Sequence, residues 1–482
     1  MTDRPNLLLF MPDQLRADAV GAFGNTVVHT PTIDALSQGG VRFTNAYSQH
    51  SVCAQSRISM FTGLYPHVAG HRTLEHLLAP HETNIFSRLR DGGYHVALAG
   101  ARGDMLGPGL TRASSDRFGF TVPPKLQDLA RWHQSPFEPG SKWYDAFYGG
   151  PIDGDLFEFD AATVRTSIDW LADGLPEPWC VLVALMFPHP PFAVERRWHD
   201  LYDGVEMPAP VPPTFAGKPG FYPEIRRRYG LDRMTIEDWA QVTRTYYGMV
   251  SRVDDQLRQV LEAVERVGQA ERTITFFFTD HGEYLGDYGL VEKWPSGLDD
   301  VLLRNPLIVH DPTGATGEAT SFVELVDLTA TLEDLAGLDA GVHFGRSFRQ
   351  LLVDPSAPHR DAAFSEGGFL LEEEPMLEAG DEGHYRHKQA IQHERTELVG
   401  RAIAVRTDDW CYIERLYEGP ELYDRRADPH ETVNLAGQAG YSTVERDHRD
   451  RIFRWLFETS DIVPARRDPR FDSDLQQAMF GV

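Results

Sequence analysis

Three features of the sequence point to an α/β architecture, a doubly wound and mostly parallel sheet flanked by helices, followed by a smaller C-terminal α+β domain with a short antiparallel sheet. Short apolar runs recur between helical patterns, which is how buried parallel strands read when helices cover both faces of their sheet. The alternation of strand and helix persists for about 340 residues. Beyond that the runs shorten and alternate as antiparallel strands do, so the domains are read as 1–355 and 356–482.

The elements follow in order. Residues 6–11 (NLLLFM) form the first strand. Thr30 and Pro31 stand where an N-cap and a first helical residue belong, and Gly39 and Gly40 follow the last turn, which predicts a helix between them. Residues 94–99 (YHVALA), 179–186 (WCVLVALM), 274–278 (ITFFF) and 306–310 (PLIVH) supply further strands of the parallel sheet. The stretch 105–165, rich in Pro, Gly and aromatics, reads as an excursion off that sheet. From Val242 through Tyr246, Met249, Val253, Leu257 and Val260 to Val264 the apolar residues repeat at helical spacing, predicting one long amphipathic helix. In the second domain, 362–366, 402–406 and 410–416 read as antiparallel strands, 447–459 as a closing helix, and 371–397 as a charged insertion.

Composition narrows the function. The chain has 482 residues, with 46 Lys+Arg against 72 Asp+Glu, a formal charge of −26. At 41% hydrophobic and 11% aromatic residues it buries large cores, which excludes a disordered chain. The acidic balance excludes nucleic acid and an anionic membrane as main partners, because phosphate backbones are bound through Lys and Arg. A site for an anion therefore needs local positive charge. It leaves room for a specific homo-oligomer interface. Cys53, Cys180 and Cys411 are too few and too scattered for a disulfide framework. The N-terminal apolar run is shorter than a signal-peptide core, and no run approaches the ~20 apolar residues of a membrane span. The expectation is a soluble, cytoplasmic protein.

In open α/β sheets the ligand crevice lies beyond the carboxyl ends of the strands. Strand 6–11 runs into Asp13 and Gln14, strand 274–278 into Asp280 and His281, and strand 179–186 into the stiff turn holding His189. One Asp after a strand is more often a turn residue or a cap. Two carboxylates, an amide and imidazoles at neighbouring strand ends instead suit a divalent cation bound by hard oxygens and a borderline nitrogen.

Ser56 to Leu64 has helical spacing, which puts Cys53 at a helix N-terminus, where backbone N–H groups favour an anion and acidify a thiol. Arg57 would then help fix an oxyanion. The plainer alternative is a buried, inert cysteine. A phosphatase-type Cys loop fits poorly, because its Cys–Arg spacing is longer than the three residues found here.

With these residues in view, the chain resembles the type I sulfatase family of the alkaline-phosphatase-like superfamily, which also contains phosphonate monoester hydrolases. The family signature is CxPSR followed by Thr-Gly and often Tyr-Pro-His; this chain has CAQSR, Thr62, Gly63, Tyr65, Pro66 and His67. The likeness extends through RPNLLLFMPDQLRAD, TPTIDALSQGGVRFTNAYS, FPHPPF, YYGMVSRVDDQL, FFFTDHGEYLGDYGLVEKW and ELYDRRADPHETVNLA. It implies an alkaline-phosphatase-like fold and hydrolysis of a small-molecule sulfate ester. It also implies a formylglycine made from Cys53 by a formylglycine-generating enzyme, with one hydroxyl of its hydrate attacking sulfur and the other expelling sulfate.

By position, the resemblance assigns Asp13, Gln14, Asp280 and His281 as ligands of one divalent cation, Ca2+ or, because His281 stands at the fourth position, Mn2+. It assigns Arg57 as the cation supporting residue 53, and Lys293 and His189 as the groups that hold sulfate oxygens and protonate the leaving group. Two departures stand out. Gln55 occupies the motif's Pro position, and the Lys-x-His expected after strand 94–99 is replaced by GARGDML, with Arg102 the nearest cation. His71, Arg72 and His76 in HRTLEHLL are further candidate substrate contacts. Such a pocket also suits a phosphonate or phosphate monoester or diester, where the same site serves phosphoryl transfer. A third reading is an unmatured, non-catalytic protein that binds an anion or a metal.

Overall fold

The computed structural model describes residues 4–100, 104–380, 382–462 and 473–481. Its main sheet has eight strands in the order Gly317–Ala319, Val41–Phe43, Ile308–His310, Thr273–Phe277, Asn6–Met11, Trp179–Ala184, His95–Ala99 and Arg117–Gly119. Asn6–Met11 lies at the centre, parallel to Thr273–Phe277 on one side and to Trp179–Ala184 on the other. Every residue of it is buried. Leu8 and Phe10 enter one core, and Leu7, Leu9 and Met11 enter the other, so the run is apolar throughout because both faces are covered.

Helices cover both faces. Ile236–Arg266 is the long helix, begun by a capping box between Thr235 and Asp238; it packs with Phe159–Asp173 on one face. Cys53–Thr62 and Asp327–Leu335 pack against each other on the opposite face. The helix Pro31–Gln38 starts after Thr30 as expected, but the Thr30 hydroxyl is engaged by Gly21 and Asp34. Asp254, from the long helix, accepts the N–H groups of Thr32 and Ile33 at 3.1 and 2.8 Å and does the capping instead.

Two expectations change. Ile308–His310 is antiparallel to both its neighbours, not part of a parallel run, since a short apolar segment carries no mark of its direction. The stretch 105–165 does not lie wholly off the sheet: Arg117–Gly119 forms its edge, parallel to His95–Ala99, and Tyr148–Ile152 pairs with Phe192–Glu195.

Toward the C-terminus Ala363–Gly367, Ala402–Arg406, Trp410–Arg415 and Glu421–Asp424 make a four-stranded antiparallel sheet packed by the helix Ser442–Thr459. The fourth strand was not expected. The charged insertion carries the helix Arg386–Glu394, whose Lys388 and preceding Tyr385 reach the strand ends of the main sheet. Among the described residues no helix is long and apolar enough to cross a membrane.

Candidate active site

The parallel register of the three central strands brings their following residues together. Gln14 turns with a φ of 64°, a left-handed conformation that costs a non-glycine residue free energy. Its N–H donates to Asp280 Oδ1 at 3.0 Å and its amide oxygen accepts from Lys293 Nζ at 2.8 Å, which holds the turn. Cys53 is the first residue of its helix, with Val52 as N-cap. Its sulfur lies 3.1 Å from His281 Nε2 and 3.7 Å from Asp13 Oδ1. One ligand atom each from Asp13, Cys53, Asp280 and His281 fits within 4.8 Å of the others, and all four residues are buried.

Arg57, one turn further along, is sealed among carboxylates. Its Nε donates to Asp280 Oδ2 at 2.9 Å, and Nη1 to the two oxygens of Asp104 at 2.6 and 2.8 Å. Its Nη2 lies 2.8 Å from both Asp13 Oδ2 and Asp280 Oδ2. A guanidinium has five N–H donors, and here all of them face carboxylates. Arg57 thus orients Asp13 and Asp280 rather than offering a free fork to an oxyanion.

His281 Nδ1 donates to Gly282 O at 2.9 Å, which leaves Nε2 as a lone pair toward Cys53 and Asp13. Burial pulls its pKa down, so the ring is neutral. Two carboxylates and a neutral imidazole nitrogen, buried together, are the donor set a divalent cation takes. The residues present therefore fit such an ion. Gln14 is engaged otherwise, its NH2 with Glu283 and its oxygen with Lys293.

The acidic thiol expected at a helix N-terminus is not found. Burial, and then the neighbouring Asp13 carboxylate, push the Cys53 pKa well above that of a free thiol. A sealed sulfur beside two aspartates is a poor thiolate, whatever the helix offers.

On the other side of Gln14, Lys293 Nζ lies 3.0 Å from His189 Nε2 and pairs with Glu292. Burial disfavours its charge, but the Glu292 and Asp13 carboxylates outweigh this and raise its pKa, so the ammonium persists. His189 donates from Nδ1 to Pro190 O at 2.7 Å and presents Nε2 as an acceptor. Its turn is held from beneath by Asp160, which accepts from Met186 N and Phe187 N at 2.6 and 2.9 Å.

The remaining candidates are held elsewhere. His71 is taken by Glu82 and the His76 carbonyl, and Arg72 by Glu373 of the insertion. Among the described residues no hydrogen bond ties the His76 ring to the cluster. Arg102 lies outside the described residues.

Sequence reasoning missed Asp104, Glu292, Tyr385 and Lys388. Asp104 follows strand His95–Ala99 and obeys the same strand-end rule that found Asp13. Glu292 sits between two ammoniums, bound by both Lys293 and Lys388, and these hold its carboxyl well below the usual range against the cost of burial. Tyr385 and Lys388 come from an insertion with no pattern to reveal them.

The family model described as Sulfatase matches residues 5–338. A "Multifunctional alkaline phosphatase superfamily protein PehA" of Trinickia caryophylli is 27% identical, over 95% of this chain and 96% of its own. A choline-sulfatase of Rhizobium meliloti is 25% identical, over 95% of this chain and 88% of its own. Among solved structures, a phosphonate monoester hydrolase of Agrobacterium radiobacter superposes with a TM-score of 0.76 at 24% identity, covering 96% of this chain and all of that one.

Proposed function

The chain belongs to the sulfatase family of sulfuric-ester hydrolases, and from that premise we propose that it cleaves sulfate esters at residue 53, matured from cysteine to formylglycine, beside one divalent cation. The observation that carries this reading is the burial of the Cys53 sulfur within 4.8 Å of donor atoms from Asp13, Asp280 and His281. A cation there supplies Lewis-acid polarisation of the ester oxygens and lowers the pKa of the attacking hydroxyl. A hydrated formylglycine supplies two hydroxyls on one carbon, one to take the sulfuryl group and one to expel it.

The other residues do the rest. Asp13, Asp280 and His281 would hold the ion, with Arg57 keeping both aspartates in place. Lys293 brings the local positive charge that an acidic chain needs for an anionic ester. His189, with Nε2 beside Lys293, stands where a proton can be carried to or from the leaving oxygen. Their charge is fixed before substrate arrives, which is the condition for electrostatic stabilisation of a transition state.

The second reading, a phosphonate or phosphate ester hydrolase with the same site, is favoured by one observation: GARGDML stands where the family's Lys-x-His is expected, which alters the charge compensation around the leaving group. The test is a pair of assays at equal concentration, 4-nitrophenyl sulfate against 4-nitrophenyl phenylphosphonate, with calcium and manganese supplied in turn. A faster sulfate reaction supports the first reading, and a much faster phosphonate reaction the second. Intact mass decides maturation, since conversion of the thiol to the aldehyde lowers it by roughly 18 Da. Unchanged mass with no turnover of either ester would leave the non-catalytic reading.

A further inference from the structure

Tyr385 lies just before the helix Arg386–Glu394 of the charged insertion. Its ring packs edge-on against Phe147 at 5.2 Å between centroids, and its hydroxyl lies 3.4 Å from both His189 Nε2 and Glu292 Oε1. The segment is pinned: Tyr229 donates to His384 O at 3.0 Å and accepts from Lys388 N at 3.2 Å, while Lys388 binds Glu292. A polar chain then runs outward from the buried cluster, from Asp280 to Gln14, to Lys293, to His189 and finally to Tyr385. Lys293 and Tyr385 thus both meet His189 Nε2, the nitrogen assigned above to the leaving oxygen.

Resting on the hydrolytic reading above, we propose that Tyr385 is a further catalytic residue, donating a hydrogen bond to the ester oxygen as the leaving group departs. As the hydroxyl oxygen of residue 53 bonds to sulfur and gives its proton to the Asp13 carboxylate beside it, the S–O bond to the leaving group breaks, its electron pair stays on the ester oxygen, and that oxygen takes its proton from the Lys293–His189 pair. Negative charge grows there, and the phenol O–H meets it while keeping its proton. Burial, and then the Glu292 carboxylate, raises the phenol pKa well above its ordinary value, so it remains a donor throughout the working range.

Such a donor matters most for poor leaving groups, which carry the most charge. The test compares wild type with Tyr385→Phe, which keeps the ring against Phe147, on 4-nitrophenyl sulfate and on unsubstituted phenyl sulfate, or on the matching phosphonates if those are the faster substrates. The expected result is a fall in kcat/KM of about tenfold or more for the phenyl ester and about twofold or less for the 4-nitrophenyl ester, with Tm unchanged. Equal losses on both esters, or no loss, would overturn the assignment while leaving the hydrolytic reading in place. Wild type inert toward both classes of ester would overturn that reading and this inference with it.

Discussion

The Arg57 guanidinium and the Asp13 carboxylate meet at 2.8 Å, and both are sealed from solvent. Arg57 is at once bound to Asp104 and Asp280, so one cation sits among three carboxylates. Burial disfavours its charge, yet the three carboxylates outweigh that and raise its pKa well above the ordinary value. The excess negative charge is what a divalent cation would offset.

Removing Arg57 should therefore cost stability as well as turnover. Arg57→Ala leaves buried carboxylates facing one another, a change worth about 3–5 kcal/mol when one partner of a buried pair is lost. Urea denaturation without divalent ions should show the loss, and adding manganese should recover part of it. A variant as stable as wild type in metal-free buffer would mean that the three carboxylates do not depend on Arg57.

Asp280 accepts from Gln14 N, His281 N and Thr279 Oγ1 and meets two nitrogens of Arg57. Asp280→Ala should abolish manganese binding in calorimetry and lower turnover by more than about a hundredfold, beyond what loss of a residue behind the ligands costs. Asp280→Asn, which keeps the shape, separates the ligand's charge from its packing. Full activity in both variants would remove Asp280 from the ion's donor set.

Much of this site was legible in the sequence, because its residues follow strands whose apolar runs are unambiguous. Asp13, Asp280, His281 and His189 could be placed from local pattern plus the strand-end rule, and Cys53 from helical spacing alone. What was not legible depended on partners distant in the chain. The direction of Ile308–His310 is set by neighbouring strands, and the cap of Pro31–Gln38 comes from Asp254. The Cys53 pKa is governed by burial and Asp13 rather than by its own helix, and Tyr385 and Lys388 belong to a segment whose composition says only that it is polar.

The turn carrying His189 has its own titration. Burial, then the nearby Glu158, raises the Asp160 carboxyl to about 7, against Arg252 and the N–H groups of Met186 and Phe187. Glu195, which also pairs with Arg252, completes the charged groups around it. A carboxyl protonated in the folded state but ionised in the unfolded one stabilises at low pH, and that stability is lost as pH rises from about 4 to about 7. This group alone removes up to about 1.4 kcal/mol per pH unit across the window. Asp160→Asn should show a flatter stability profile between those limits in urea titrations. A wild-type slope retained in the variant would assign the titration to another group.

The proposed maturation of Cys53 can be tested at Gln55. It is the third residue of the helix Cys53–Thr62, where the backbone N–H has no intrahelical acceptor, so a proline there breaks no helical hydrogen bond. What a proline does remove is the side-chain bond from Gln55 Nε2 to Arg72 O, 2.9 Å long, which ties the Cys helix to the following loop. Gln55→Pro should thus cost about 1 kcal/mol of stability while restoring the family's CxPSR pattern around Cys53. If that pattern is what a formylglycine-generating enzyme reads, coexpression with one should raise the fraction of chains lighter by roughly 18 Da. Turnover per chain should rise in the same proportion, because the Gln55 side chain is tied to Arg72 O and is not one of the donor residues around residue 53. An unchanged mass distribution, with the variant folded, would show that Gln55 does not limit conversion.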